Sequence, residues 1–441
     1  MDKKLFRNII AAVCASAALG AACLAAFMWE PPADTGEAAD DAAELTLFEL
    51  DKEIESVGVK NTSGSFNIIL SNGGYTIENA ADKKLDAQLL NDAVNSLHRI
   101  PAKQKMDENK DLGEFGLDEP QAVVTAFAGG SEHRILIGDK APVGDGYYMT
   151  SDGGGVYLVA SAYAKYYLLS VNDYRDKSIA YIDMSALERL EIYKDGDTVV
   201  SIRKNDGAER SELMDTSLIM EYPYKELVSA SRLLDALGES IAVTAEKFAD
   251  GTDEQYGIGK YTVKISASGA SYTILFGNED GSGNVYAKYA ESGDVFTVKP
   301  ELYNAVSGFE PFDYIYKFAH IFLIDDAAEV SFEAGGEKYI LSCKDGVYFI
   351  NSEEVSYETY KNAYSSIIGV MITSEADASK CGKRIGGAVF KLKDGTEKTI
   401  EYFEYDERNY AVKRDGGTAF CILKKNIDAV PQQIESLLTG Y

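Results

Sequence analysis

A chain of 441 residues exceeds what one ordinary core organises, and 46% hydrophobic with 26% charged residues and only 9 prolines exclude a disordered polymer. The formal charge is −28, and because Lys3, Lys4 and Arg7 oppose only Asp2 in the first seven residues, the remainder carries −30. Such a surface repels phosphate and excludes nucleic acid as a partner.

Lys3, Lys4 and Arg7 precede an uncharged, largely apolar run over 9–29. As a helix this run spans ~31 Å, one bilayer thickness. Basic residues before it and the acidic stretch 30–44 after it place the N-terminus in the cytoplasm and residues 30–441 outside, with Trp29 at the outer interface. Two other readings compete with a retained anchor. A cleaved signal peptide has a shorter apolar core of ~7–15 residues. A lipoprotein would be acylated at Cys23, but Gly20-Ala21-Ala22 lacks the usual aliphatic residue before it. The acidic stretch, with two prolines and no base, reads as a spacer off the membrane.

From Leu47 onward one order of elements returns three times. Each round opens with a hairpin: 56–60 to 66–70, 190–193 to 199–203, and 330–332 to 339–343. A helix follows, read over 85–97 from Leu85, Leu89, Leu90, Val94 and Leu97 on one face. Its counterparts are 227–237 and 357–368. Next comes an aromatic–glycine–aliphatic landmark, Phe115-Gly116-Leu117 and then Tyr256-Gly257-Ile258, followed by a strand, a turn and Ile137-Gly138-Asp139 or Phe276-Gly277-Asn278. The third round keeps only Cys381-Gly382. An aromatic hairpin around Tyr148, Tyr286 or Tyr410 comes next, and a helix closes each round near 161–169, 300–306 and 427–438.

Because the strands recur in close hairpins, the fold class is α+β with antiparallel sheet rather than βαβ. The expected organisation is a cytoplasmic tip and anchor (1–29), a linker (30–45), and three tandem diverged units at 46–181, 182–323 and 324–441. Each unit would run hairpin, helix, four-stranded meander, helix.

The run Glu114-Phe115-Gly116-Leu117-Asp118-Glu119-Pro120, together with Ile137-Gly138-Asp139-Lys140, Gly146-Tyr147-Tyr148, Val156-Tyr157-Leu158-Val159 and Tyr174-Arg175-Asp176-Lys177-Ser178, resembles the bacterial family catalogued as domain of unknown function 4340. The resemblance is specific over about 46–180, weaker over 181–323 and faint beyond. It implies an exported protein, often with one N-terminal membrane helix, similar in setting to auxiliary proteins encoded beside ABC-type exporters. It brings no catalytic residues.

Residues able to carry chemistry are few. His98, His133 and His320 have no nucleophile signature beside them. Ser201-Ile202-Arg203-Lys204 fits Ser-x-x-Lys, but a β-hairpin points Ser201 and Lys204 to opposite faces. The stretch 278–289 has oxygen ligands at the first, third and fifth positions of a Ca²⁺ loop and Gly283 at the sixth, but Tyr289 stands where a bidentate Glu is needed, so it reads as a turn. Gly144-Asp145-Gly146 lacks phosphate-loop spacing. Cys343, Cys381 and Cys421 form an odd trio with no Cys-x-x-Cys, and neither a disulfide framework nor a zinc site is suggested. Tyrosines such as Tyr163, Tyr166, Tyr167, Tyr174, Tyr314 and Tyr316 are read as packing residues first and as a sugar or partner surface second.

The expectation is therefore an anchored, extracytoplasmic, non-enzymatic binding or scaffold protein with no catalytic, cofactor or metal residues. Its partners would be the membrane and an ABC-type permease or another envelope protein, without nucleotide. The competing readings are a cell-envelope hydrolase using an acidic pair and a structural or adhesive surface repeat protein.

Overall fold

The computed structural model describes residues 45–80, 82–106, 111–205, 217–320 and 322–439. The run 9–29 and the acidic spacer lie outside these residues, and with them the anchor reading. Among the described residues no helix is long and apolar enough to cross a membrane.

The chain is mixed α and β, and every pairing between its strands is antiparallel among those described. Its described residues divide into two compact units, those up to Glu55 with 94–167, and 56–93 with those from Leu168 onward. In chain order the first stretch gives β1 (Thr46–Glu49), β2 (Ile54–Asn61), β3 (Gly64–Ser71), β4 (Gly74–Ile77), α1 (Ala87–Asn95), β5 (Arg99–Pro101), β6 (Gln104–Lys105), β7 (Ala122–Ala128), β8 (Ser131–Lys140), β9 (Tyr147–Ser151), β10 (Tyr157–Val159) and α2 (Ser161–Ala164). Strands β7-β8-β9-β10-β6 lie side by side in the first compact unit, where β1 also pairs with β5. Strands β4-β3-β2 form a second run.

The middle of the chain gives β11 (Ser178–Asp183), β12 (Leu187–Lys194), β13 (Asp197–Lys204), β14 (Leu218–Tyr222), β15 (Glu226–Val228), α3 (Ala230–Leu237), β16 (Ser240–Thr244), β17 (Lys247–Phe248), α4 (Asp253–Tyr256), β18 (Tyr261–Ala267), β19 (Ala270–Glu279), β20 (Val285–Tyr289), β21 (Val295–Val298), α5 (Pro300–Ser307) and α6 (Pro311–Tyr314). Nine of these strands form one sheet in the order β15-β14-β13-β12-β18-β19-β20-β21-β17.

The last third gives β22 (Ala327–Ala334), β23 (Glu337–Lys344), β24 (Val347–Ile350), β25 (Glu353–Val355), α7 (Tyr357–Ile368), β26 (Ile372–Glu375), β27 (Arg384–Leu392), β28 (Glu397–Glu404), β29 (Asn409–Arg414), β30 (Ala419–Leu423) and α8 (Lys424–Thr439). Its nine-stranded sheet runs β25-β24-β23-β22-β27-β28-β29-β30-β26, the same order as the preceding one.

Local chemistry explains the elements. Asp195-Gly196 and Asp345-Gly346 both take positive φ in the turns that close β12–β13 and β23–β24, where the twist of a two-residue hairpin demands it. Along β18, Tyr261, Val263, Ile265 and Ala267 are buried while the residues between them are not, the period of a sheet with one covered face. Helices supply cover: α7 buries Tyr360, Ala363, Tyr364 and Ile367, and α8 buries Ile427, Val430 and Ile434. Buried residues from Ile182 to Ile434 form one continuous apolar core.

Two details differ from the sequence expectation. The helix expected from residue 227 begins at Ala230, because Leu227 and Val228 belong to β15 and Ser229 is the N-cap. Each aromatic meander also gains a further edge strand, β6, β17 or β26, which pairs with β10, β21 or β30. The first two of these are only two residues long, too short to show a period.

Candidate functional site

The sequence candidates separate. His98 Nδ1 lies 2.9 Å from the Leu50 carbonyl, and His133 packs edge-on against Phe48 with Nδ1 3.4 Å from Asp152. His320 is fully buried, with Nε2 2.6 Å from the Tyr402 hydroxyl, and burial pushes its pKa down to about 3. Ser201 and Lys204 lie on β13, three residues apart along a strand. In the 278–289 loop the Asp280 carboxylate accepts from the backbone and side chains of both Ser282 and Asn284, which holds its pKa down to about 2. Its oxygens are spent organising the turn. Cys343, Cys381 and Cys421 are free thiols, and Tyr167 and Tyr174 are buried.

The two full landmarks share one geometry. Gly116 and Gly257 adopt φ of 65° and 64°, each the left-handed C-cap of a short helix. A Cβ on Gly116 would stand 2.5 Å from Asp139, and one on Gly257 2.6 Å from Asn278. Phe115 meets Tyr148 edge-on at 4.9 Å, and Tyr256 stacks on Tyr286 at 4.2 Å. Gly382 departs from this pattern. Its φ is not positive, and its amide instead donates to the Glu404 carbonyl at 2.7 Å.

The strongest concentration of buried charge lies where the chain passes from one sheet to the next in the larger compact unit. At the first junction the Asp86 amide donates to the Tyr174 carbonyl at 2.8 Å, and the Asp176 amide donates to the Lys84 carbonyl at 2.9 Å. The Arg175 guanidinium, nearly buried, lies 3.6 Å over the Phe248 ring and 2.6 Å from Asp294, and Lys83 approaches the same carboxylate at 3.6 Å. Burial alone would raise the Asp294 pKa, but Arg175, Ser292 and Lys83 together hold it below the usual range.

The second junction repeats the backbone bonds. Ser229 donates to the Tyr314 carbonyl at 2.8 Å, and Tyr316 donates to the Leu227 carbonyl at 3.1 Å. Here the arginine comes from β29. Arg414 Nη2 lies 2.8 Å from Glu226, Nη1 donates to the Phe318 carbonyl at 3.0 Å, and the guanidinium lies 5.4 Å from the Phe420 ring. Burial pushes Glu226 up and Arg414 down, and each partner opposes the other's shift. Beside them burial and Glu375 push the Tyr224 phenol, which donates to Glu375, well above its ordinary range. Lys317, over the Phe312 ring and donating to the Phe312 carbonyl, is pushed down by burial to about 8. Both acids of this cluster are engaged, Glu226 by a cation and Glu375 by a phenol.

Residues 76–258 match the family described as Domain of unknown function (DUF4340). That stretch is a DUF4340 domain. No curated protein and no solved structure matches the chain. The DUF4340 segment begins in β4, holds both full landmarks, and includes the Lys83–Asp86 and Tyr174–Asp176 segments of the first junction and Glu226 of the second. It starts later than the 46–180 over which the resemblance is specific in the sequence and ends within the 181–323 over which it is weaker.

Sequence reasoning missed the junctions. Arg175 stood out only within the motif that carries the resemblance, and Arg414 not at all, because a pairing made by distant backbone leaves no local pattern. The available signal was the N-cap: Asp86 accepts from the Leu89 amide and Ser229 precedes α3, each just after an apolar residue, Leu85 or Val228, that bridges to the linker.

Proposed function

We propose that the chain is a non-enzymatic, membrane-anchored scaffold on the extracytoplasmic side, built from three diverged copies of one α+β unit, which presents its surface to an ABC-type permease or another envelope protein. The observation that carries this reading is the common strand order of the two nine-stranded sheets, whose halves also recur as β4-β3-β2, one strand shorter, and β7-β8-β9-β10-β6. Buried charged groups go into joining successive sheets, a use of charge that favours a fixed geometry over reactivity. The anchor and orientation rest on the sequence over 3–44, and the exporter partner rests on the family resemblance.

Two measurements on the full chain test it. Protease added to spheroplasts should cut epitopes placed after Glu30 while a cytoplasmic control survives. Crosslinking in intact membranes followed by mass spectrometry should recover permease or other envelope subunits. Protected epitopes, or crosslinks confined to wall polymer, contradict the reading.

A further inference from the structure

The two junctions show what the edge beside each N-cap is for. In both, the residue before the cap bridges to the linker, Leu85 to Arg175 and Val228 to Ile315, and the flanking backbone groups bond to that extended segment. Registers place a third such edge at β25. Glu354 pairs with Phe349 as Leu227 pairs with Ile219, and Ser356 stands at the N-cap of α7 as Ser229 stands at that of α3, with only the Ser356 side chain accepting a capping bond, from the Thr359 amide. The matching residues are thus Leu85, Val228 and Val355, followed by Asp86, Ser229 and Ser356. Among the described residues, however, the Glu354 carbonyl and the Ser356 amide make no backbone bond to a segment beyond the β24–β25 ladder and α7, and both residues are exposed where Ser229 is buried.

We propose that this outer edge, residues 353–356, is a strand-addition site that takes an extended basic segment of a partner protein. Backbone pairing would supply affinity, as in other additions to a free sheet edge. Charge supplies the selection. Two residues before the bridging position stand Lys83, Glu226 and Glu353; Lys83 meets Asp294 and Glu226 meets Arg414, so Glu353 calls for a cation. One residue before it stand Lys84, Leu227 and Glu354, and Lys84 pairs with Asp176 of its linker at 2.7 Å. A strand opposite Glu354 therefore carries Lys or Arg, and exposed Glu358 in the first turn of α7 adds to the same field. A second copy of this chain does not fit the role. The segment ahead of β1, which stands in sequence where the linkers stand ahead of later sheets, reads Glu37-Ala38-Ala39-Asp40-Asp41-Ala42-Ala43-Glu44, and like charge would oppose it.

The inference deepens the scaffold reading and rests on it. The test uses the full chain and a capped eight-residue peptide alternating valine and lysine, with a valine–glutamate peptide as counterpart. Hydrogen exchange read by mass spectrometry should slow by about tenfold at the Ser356 amide when the lysine peptide is bound. Glu353→Lys with Glu354→Lys should weaken that peptide by about tenfold or more and transfer preference to the glutamate peptide. Methylating the peptide nitrogen that faces the Glu354 carbonyl should weaken binding similarly without altering the protein. Unchanged exchange at Ser356 with saturating peptide, or equal binding by the charge-reversed chain, overturns the site. Crosslinked envelope subunits that persist in the charge-reversed chain would remove this site alone, whereas their absence from the unaltered chain removes the scaffold reading.

Discussion

The two junctions use one recipe with its polarity exchanged. Each sets one arginine against one phenylalanine ring and one carboxylate. At the first the arginine belongs to the linker and the acid to the following hairpin, so Arg175 meets Asp294. At the second the linker offers Ile315 instead, the following hairpin supplies Arg414, and the acid has moved to Glu226, where the first junction has Lys83. The backbone bonds are the same in both. Backbone pairing thus fixes how a sheet receives its successor, while the ion pair need only be complementary, since either polarity neutralises the two charges it removes from water.

The largest expected effect follows from that burial. Arg414→Ala or Glu226→Ala strands the other charge in an apolar setting and should cost roughly 3–5 kcal/mol in urea unfolding, whereas replacing both by methionine should recover most of the loss. A cost for the double change equal to the sum of the two single costs would mean that the charges are not coupled.

His320 gives the next effect, through pH. Its folded pKa is about 3 against 6.5 in an exposed chain, so between those values the unfolded state binds more protons. Stability should therefore fall as pH drops below 6.5, by up to ~1.4 kcal/mol per pH unit, and be flat above it. His320→Gln, which keeps an acceptor for Tyr402, should remove that part of the slope in thermal melts recorded from pH 7 to pH 4.

Backbone strain comes third. Gly116→Val and Gly257→Val should each destabilise by more than ~1 kcal/mol, from positive φ and from contact with Asp139 or Asn278. Gly382→Val should cost less in the same assay, since Gly382 does not adopt positive φ and a Cβ there would meet Glu404 at 3.1 Å. Equal costs at the three positions would show that the third landmark has kept the geometry of the others.

Smallest is Lys83→Ala. Lys83 is an exposed second cation on a carboxylate already held by Arg175 at 2.6 Å, and its removal should cost under ~1 kcal/mol. A larger loss would mean that Lys83, rather than Arg175, neutralises Asp294.

The same contrast explains what was legible in the sequence. Hairpins were readable because Asp-Gly turns and two-residue alternation are written in consecutive residues, and the aromatic–glycine landmarks because an αL cap beside a second glycine tolerates few substitutes. The junctions were not, since a hydrogen bond from Ser229 to Tyr314 is made by main chain and leaves side chains unconstrained. Leu227 and Val228 extend the apolar pattern of α3, so periodicity merged a strand into a helix that the Ser229 cap would have divided. Two-residue strands such as β6 carry no period. Gly382 was read as equivalent to Gly116 by order alone, and its amide bond to Glu404 shows a different local backbone.

Each linker adds to the sheet before it as an extended segment, bridged at Arg175 or Ile315. Amide hydrogen exchange on the full chain compares three N-caps in one experiment. Asp86 and Ser229, bonded to the Tyr174 and Tyr314 carbonyls, should exchange only with unfolding of the surrounding sheet, while exposed Ser356, which makes no such bond, should exchange orders of magnitude faster. Ser229 exchanging as freely as Ser356 would contradict that addition.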